Sequence, residues 1–217
     1  MTAEYKGTVT FNFQNNGPKG IPQGDVVGRI APEEYRQIHL RAHSLLADVP
    51  LHDLWAVDLS GQQPGRSIVD LRALLSAQNL QATNPAVKLL FGLRWWLGRL
   101  FGWDREPPRA SEESFLRRLT AADHASSLVT PGTREGPFRV LFVSPRESIS
   151  EIRNSTVHGF SVLALVERAT DYRLYWAIYV RPVGPMTAWY MRLIDPFRRV
   201  LIYPAILRRI RSAWSHR

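Results

Sequence analysis

Residues 138–181 decide the fold, and they read FRVLFVSPRESISEIRNSTVHGFSVLALVERATDYRLYWAIYVR. Three runs in this stretch are rich in β-branched and aromatic residues and have a period of two, which is typical of strands: Phe138–Ser144, Ser150–Val166 and Tyr172–Arg181. The polar run Glu167–Asp171 predicts a hairpin turn between the last two. Because Ser150–Val166 is long for a single strand, we predict a bulge or a break within it. The stretch therefore predicts an antiparallel meander.

The chain after Pro185 returns to a helical period. One arc of the projected helix is apolar and contains Trp189, Tyr190, Leu193, Ile194, Phe197, Val200 and Leu201. The charged residues lie outside that arc, and they are Arg192, Asp195, Arg198 and Arg199. We therefore predict a closing helix, kinked at Pro196 and Pro204, whose apolar arc faces the sheet and whose arginines face water.

The part of the chain before the meander is mainly helical in pattern. It contains four predicted helices, at Pro32–Leu46, Ser67–Leu75, Asn84–Trp103 and Glu112–Ala122, and one alternating strand, at His52–Leu59. Residues 1–30 are predicted to form a partly irregular N-terminal extension, and residues 31–217 a single domain. We predict an α+β fold of helix-grip type, in which a curved antiparallel sheet wraps on the long C-terminal helix and encloses an internal cavity.

The composition of the 217 residues is that of a folded chain, with 45% apolar and 22% charged residues. The chain contains no cysteine, which excludes thiol nucleophiles, disulfides, and iron–sulfur or Cys-ligated zinc centres. The N-terminus has no apolar run of signal-peptide type, and the apolar segments are interrupted by arginine. The sequence therefore predicts a cytoplasmic protein of bacterial type.

The net charge of +9 is concentrated near the C-terminus. Seven arginines and one aspartate lie within residues 192–217, which carry +6 of that charge. We predict that most of these arginines are the solvated side of the closing helix, and we expect no nucleic-acid partner, because no DNA-reading motif accompanies them. Peripheral contact of this Arg face with an anionic membrane stays open as an alternative.

The strand residues Asn154, Thr156 and His158 alternate, so they share one face of the predicted sheet. If that face lines a cavity, the three polar side chains would lie in an apolar pocket, as in small-molecule sites. We add Trp176 and Ile178 on the next strand as ligand-binding candidates for a small apolar ligand. His158 is also the candidate catalytic residue, as a general acid or base. A core histidine hydrogen-bonded to the backbone would explain the same residue.

Two other groups carry chemistry-bearing side chains. His39 and His43 have the i, i+4 spacing of metal ligands, with His52 and Asp53 downstream, but a polar helix face has the same spacing. We predict no metal and no cofactor. Another pair, Glu147 and Glu151, would suit two-carboxylate chemistry only if both acids met in a cleft. Exposed alternating charges are the simpler interpretation of that pair.

The chain resembles the DUF2867 family of proteins of unknown function. The residues that carry the resemblance are DLWAVDL (Asp53–Leu59), LFGLRWWLGRLFGWD (Leu90–Asp104), EIRNSTVHGFSVLALV (Glu151–Val166) and YMRLIDPFRRVLIYPAILRRI (Tyr190–Ile210). The resemblance covers roughly residues 50–212 and implies a START-like helix-grip (SRPBCC) fold with an apolar ligand cavity. Some relatives carry this domain behind a dinucleotide-binding domain, but no G-x-G-x-x-G motif is present here.

These observations predict an uncharacterised protein that binds a small apolar ligand. Two alternatives stay open at this point. One is an enzyme that acts on a hydrophobic substrate through His158, and the other is a peripheral membrane or interaction module that uses the C-terminal Arg face.

Overall fold

The computed structural model describes residues 27–60, 65–77, 114–154, 157–183, 187, 191–192 and 195–215. The predicted helix Asn84–Trp103 and the candidate ligand residue Thr156 lie outside the described residues.

Seven antiparallel strands form one curved sheet with the spatial order β1-β2-β7-β6-β5-β4-β3. The strands are β1 Val27–Arg29, β2 Leu51–Ser60, β3 Arg134–Glu135, β4 Phe138–Val143, β5 Glu147–Arg153, β6 Val157–Glu167 and β7 Asp171–Pro182. The predicted break within Ser150–Val166 is confirmed, because β5 ends at Arg153 and β6 begins at Val157. Asn154 stabilises the turn between them by accepting the Val157 N–H with its Oδ1 atom at 2.9 Å.

Five helices can be given full bounds in the described part of the chain, where residues 191–192 and 195–197 are helical as well. They are α1 Pro32–Arg36, α2 Arg41–Leu45, α3 Ile68–Ala77, α4 Ala121–Ser126 and α5 Tyr203–Ser215. A 3₁₀ turn at Phe115–Arg118 and a π-helical turn at Arg198–Ile202 add to them.

Two helix predictions were wrong. The predicted helix Pro32–Leu46 is two short helices, because Leu40 has extended backbone angles (φ −122°, ψ 142°) and interrupts it. In its described part, the predicted helix Glu112–Ala122 is the 3₁₀ turn, and α4 begins only at Ala121. Thr120 starts α4 with a capping box, in which its side chain and that of Asp123 each accept a backbone N–H of the other residue.

The sheet is covered on both faces, so it forms the middle layer of the molecule. One face packs against α3 and α5, with Leu71 and Leu207 fully buried. The other face packs against α1, α2 and the 3₁₀ turn, where Tyr35 and Phe115 are buried. This arrangement confirms the predicted α+β class with a curved antiparallel sheet and a C-terminal helix.

Aromatic side chains fill the contact between α5 and the sheet. The ring of Tyr203 lies between the rings of Trp55 and Trp176, with centroid distances of 5.3 Å and 5.0 Å. Trp214, near the end of α5, is 1% exposed and packs edge-to-face on Tyr172. These contacts anchor the helix, since truncating one buried aromatic side chain typically costs about 3–5 kcal/mol.

The orientation predicted for the residues just before α5 was wrong. Asp195 is buried, whereas Phe197 and Val200 are 44% and 70% exposed. Arg198 and Arg199 are half-buried and form ion pairs with Asp195. The helix presents its charged side to the sheet here because charged partners on β2 bind that side.

Candidate functional site

A cleft of about 340 Å³ lies where β2 begins beside the edge strand β1. Its lining residues are Arg29, Ile30, Pro32, Leu51, His52, Asp53 and Leu54. The wall combines aliphatic side chains with three ionisable ones. The cleft therefore offers an apolar surface and a polar group of side chains within one concavity.

A β-bulge in β2 places the polar side chains of the cleft. Leu51 pairs with Tyr179 and Asp53 pairs with Ile178, so His52 is an extra residue without a partner in the register. Neighbouring strand residues normally point to opposite faces of a sheet. The extra residue lets both His52 and Asp53 face residues 195–215, which we call the C-terminal helical segment. Their contacts with Asp195 and Arg199 of that segment show this directly.

Asp53 is the centre of an ion-pair network at the cleft. Its carboxylate is fully buried and lies 3.0 Å from Arg29 Nε and 2.9 Å from Arg199 Nε. The hydrogen bond to Asp53 raises the pKa of the Arg199 guanidinium above its usual value. Arg199 therefore stays charged, and it ties β2 to the C-terminal helical segment.

His52 extends this network to the helical segment. Its Nε2 atom lies 2.8 Å from Asp195 Oδ2, and Arg199 Nη2 lies 3.4 Å from the same oxygen. His52, Asp53 and Asp195 bring one ligand-type atom each to within 4.8 Å of one another, a spacing that could hold a metal ion. The guanidinium groups on the same carboxylates already neutralise them, so the arrangement has the chemistry of an ion-pair network.

The histidines predicted as alternative metal ligands do not join this group. His43 Nε2 lies 3.2 Å from the Tyr35 carbonyl oxygen, and its ring packs edge-to-face on the Tyr35 ring. His43 is therefore half-buried and packs between α1 and α2.

The predicted ligand residues lie on opposite faces of the sheet. His158 packs against Phe115 and Phe160 on the face of α1 and α2, with ring centroids 5.4 Å and 4.5 Å away. Trp176 and Ile178 belong to the core on the face of α5. The sheet thus separates His158 from these two residues, and their role in ligand binding stays a prediction.

His158 forms a buried pair with Glu151. The His158 Nε2 atom lies 3.2 Å from Glu151 Oε2, which also accepts the Phe115 N–H at 3.1 Å. The Ser114 hydroxyl donates to the other carboxylate oxygen. Burial raises the pKa of Glu151, but the hydrogen bonds from His158, Ser114 and Phe115 outweigh it, and the pKa lies below its usual value.

Glu147 is the second buried acid on β5. Its two carboxylate oxygens accept the N–H groups of Arg41 and Ala42, each at 2.8 Å. The interpretation of Glu147 and Glu151 as exposed alternating charges was wrong, because both side chains lie in the core. Glu147 caps the N-terminus of α2 and Glu151 caps that of the 3₁₀ turn, so the two acids do not meet in a cleft.

Sequence reasoning missed Arg29 and Asp195 as members of the cleft network, and it considered His52 only as a metal ligand. The residues lie far apart in the chain, and a bulge leaves no clear periodic signature. One signal was present, because Asp53 is an acid at the start of a strand whose following residues are almost all apolar.

None of the helices in the described ranges is long and apolar enough to cross a membrane.

Comparisons with known proteins identify the family. No curated protein and no solved structure matches the chain. The model of a family described as a protein of unknown function, DUF2867, matches residues 45–205, a range that includes β2, the meander, and the C-terminal segment through Pro204. Since the match spans well over half of the chain, the chain belongs to the DUF2867 family.

Proposed function

We propose that the protein is a small-molecule-binding protein of helix-grip type, and that its ligand occupies the cleft at His52. The observation that carries the proposal is the joining of an aliphatic wall and a pre-formed polar cluster in one concavity. Pockets for small organic molecules are about 300–1,000 Å³ in volume and have this mixed lining, and the cleft of about 340 Å³ falls at the lower end.

The cleft favours an amphipathic ligand. The half-buried residues Ile30, Pro32 and Leu51 line the cleft and offer apolar surface, which suits a hydrocarbon or aromatic body. Arg29 offers hydrogen-bond donors, and its side chain is 55% exposed, so it can turn toward a ligand. A small molecule with an apolar body and a polar end is therefore the ligand class that we propose.

This position differs from the interior site predicted from the sequence. The rings of Trp55, Trp176 and Tyr203 contact one another between the sheet and α5, where the predicted cavity would lie. An interior ligand would have to displace these aromatic contacts, whereas a ligand in the cleft displaces water. The interior residues stay a second proposal that the same experiment tests.

The enzymatic alternative has less support from geometry. His158 is 2% exposed, and its Nε2 atom faces the Glu151 carboxylate. A substrate could reach His158 only after the Phe115 segment moved away from the ring. A general acid or base has to lie within hydrogen-bond reach of its substrate, so we place catalysis behind binding.

The test is native mass spectrometry of the purified protein, followed by displacement of a naphthalene dye. We expect Ile30→Trp, which fills the cleft, to weaken dye binding at least tenfold. The matched control Leu128→Trp adds the same side chain at an exposed position away from the cleft and should leave binding unchanged. A ligand at one hundred times its dissociation constant should stabilise the fold by about 2.7 kcal/mol.

The variants separate the two positions. If Trp176→Leu weakens dye binding and Ile30→Trp does not, the ligand occupies the interior and the proposed cleft site is wrong. If neither variant changes dye binding and no small molecule copurifies, small-molecule binding at both positions is rejected.

A further inference from the structure

Two apolar side chains face water at the start of the C-terminal helical segment. Phe197 is 44% exposed and Val200 is 70% exposed, and they are one helical turn apart. Arg192 and Arg208, both exposed, flank them along the chain. We call these four residues the C-terminal patch.

Phe197 and Val200 are exposed because ion pairs with β2 orient the C-terminal helical segment. Asp195 contacts His52, and Arg199 contacts Asp53, so the charged side of this turn faces the sheet. The apolar side is then forced outward. Single exposed apolar residues are common on proteins, but here two share one turn between arginines, where an apolar arc was predicted to be buried.

The charge around the patch has one sign. Residues 192 and 195–215 contain six arginines and one acid, Asp195, and that acid is buried and ion-paired with Arg198 and Arg199. The exposed surface of the described C-terminal segment therefore carries positive charge and no exposed carboxylate.

We propose that the C-terminal patch docks the protein on an anionic lipid surface, with Phe197 and Val200 in the interfacial layer and Arg192 and Arg208 at the lipid phosphates. Apolar side chains between cations match a bilayer surface, where charged headgroups lie above hydrocarbon. A nucleic acid would use the arginines but offers no apolar layer for Val200. This proposal goes beyond the cleft and does not depend on its ligand.

The experiment is co-sedimentation of the full chain with phosphatidylcholine vesicles, with and without about 30% phosphatidylglycerol. We expect binding only with phosphatidylglycerol, and a loss of more than tenfold at 500 mM NaCl, where screening shortens to a few ångströms. Arg192→Gln and Arg208→Gln should each weaken binding about fivefold, the equivalent of about 1 kcal/mol per cation. Val200→Ser should weaken it roughly threefold to tenfold, and Val200→Trp should strengthen it.

Matched variants at exposed positions elsewhere control for loss of an apolar group or of a charge. Leu128→Ser and Arg146→Gln should bind vesicles like the unaltered protein.

Equal loss in these controls, or no binding to phosphatidylglycerol vesicles, would overturn the proposal. A dimer that Val200→Ser dissociates, without vesicle binding, would assign the patch to a second copy of the chain. Salt-sensitive binding of duplex DNA that only the arginine variants weaken, again without vesicle binding, would assign it to nucleic acid. Either of these two outcomes overturns the lipid proposal.

Discussion

The Glu151 carboxylate illustrates how single residues are used in this fold. It was predicted as one of several charges near a strand start, yet it accepts hydrogen bonds from Ser114, Phe115 and His158 in the core. The alternation that was predicted from His158 puts Phe160 on the same strand face, and their ring centroids lie 4.5 Å apart. Strand alternation placed the side chain correctly, but its partners come from distant segments.

We predict that His158→Ala destabilises the protein by about 3–5 kcal/mol, because the buried Glu151 carboxylate loses one of its three hydrogen bonds and the lost ring leaves a cavity beside Phe115 and Phe160. Urea unfolding at pH 7 measures this change. The exposed His124 provides the control, since His124→Ala should change the free energy of unfolding by less than about 0.5 kcal/mol. Equal stability of the two variants would mean that the buried pair contributes nothing.

The start of α2 shows how an element depends on another element. Its N-cap residue Leu40 supplies no side-chain hydrogen bond, and Glu147 of β5 accepts the first two helical N–H groups instead. Burial raises the pKa of Glu147, although the two backbone hydrogen bonds and Arg41 oppose the shift. A carboxylate on a strand therefore caps the N-terminus of α2, where a local Ser or Asp side chain caps most helices.

We predict that Glu147→Ala destabilises the protein by about 2–6 kcal/mol, since the first two N–H groups of α2 lose their acceptor at about 1–3 kcal/mol each. The exposed Glu167, whose replacement by alanine should change stability by less than about 0.5 kcal/mol, is the matched control. Urea unfolding followed by circular dichroism measures both. A cost below about 1 kcal/mol for Glu147→Ala would contradict its role as the cap of α2.

Strands were predicted more accurately than helices, and the reason is physical. The predicted strand His52–Leu59 corresponds to Leu51–Ser60, and Tyr172–Arg181 corresponds to Asp171–Pro182. Both strands are buried on two faces, so their β-branched and aromatic composition is visible locally. The helix α2 begins at Arg41, where the distant Glu147 carboxylate accepts its first N–H groups, and no local pattern in the sequence reports that contact.

Across the whole molecule, ion pairs join segments that are far apart in sequence. Arg41 of α2 binds Asp123 of α4 with two hydrogen bonds of 2.8 Å. That interaction holds the pKa of the Asp123 carboxyl far below its usual value. The Arg118 guanidinium likewise lowers the pKa of Asp48 to about 2. Folded stability is therefore linked to the ionised state of several carboxylates.

We predict that acid weakens the fold. The lowered pKa values of Asp48, Asp123 and Glu151 mean that these groups stabilise the fold above about pH 4, where the unfolded carboxyls are ionised, and lose that contribution as pH falls toward their folded pKa values. The raised pKa of Glu147 acts in the opposite sense, because its protonation on acidification favours the folded state. Three groups outweigh one. The urea concentration at the midpoint of unfolding should therefore decrease as the pH is lowered from 5 to 3.

The matched variants for this prediction are Asp123→Asn and Glu167→Gln. Asp123→Asn should make the midpoint less dependent on pH, and the exposed Glu167→Gln should leave that dependence unchanged. A midpoint of the unaltered protein that stays constant or rises between pH 5 and pH 3 would show that the linkage has the wrong sign.

The sequence by itself determined the α+β class, the antiparallel meander with a break within Ser150–Val166, the C-terminal helix and the family. The first three depend on local periodicity and composition, which each segment carries alone, whereas the family depends on the resemblance of several stretches to known members. Only the tertiary structure decided the cleft, because the bulge at His52 and the ion pairs from Asp53 to Arg29 and Arg199 join distant segments. It also decided that Val200 faces water, since a helix turns toward its strongest partners, and here those are charges on β2.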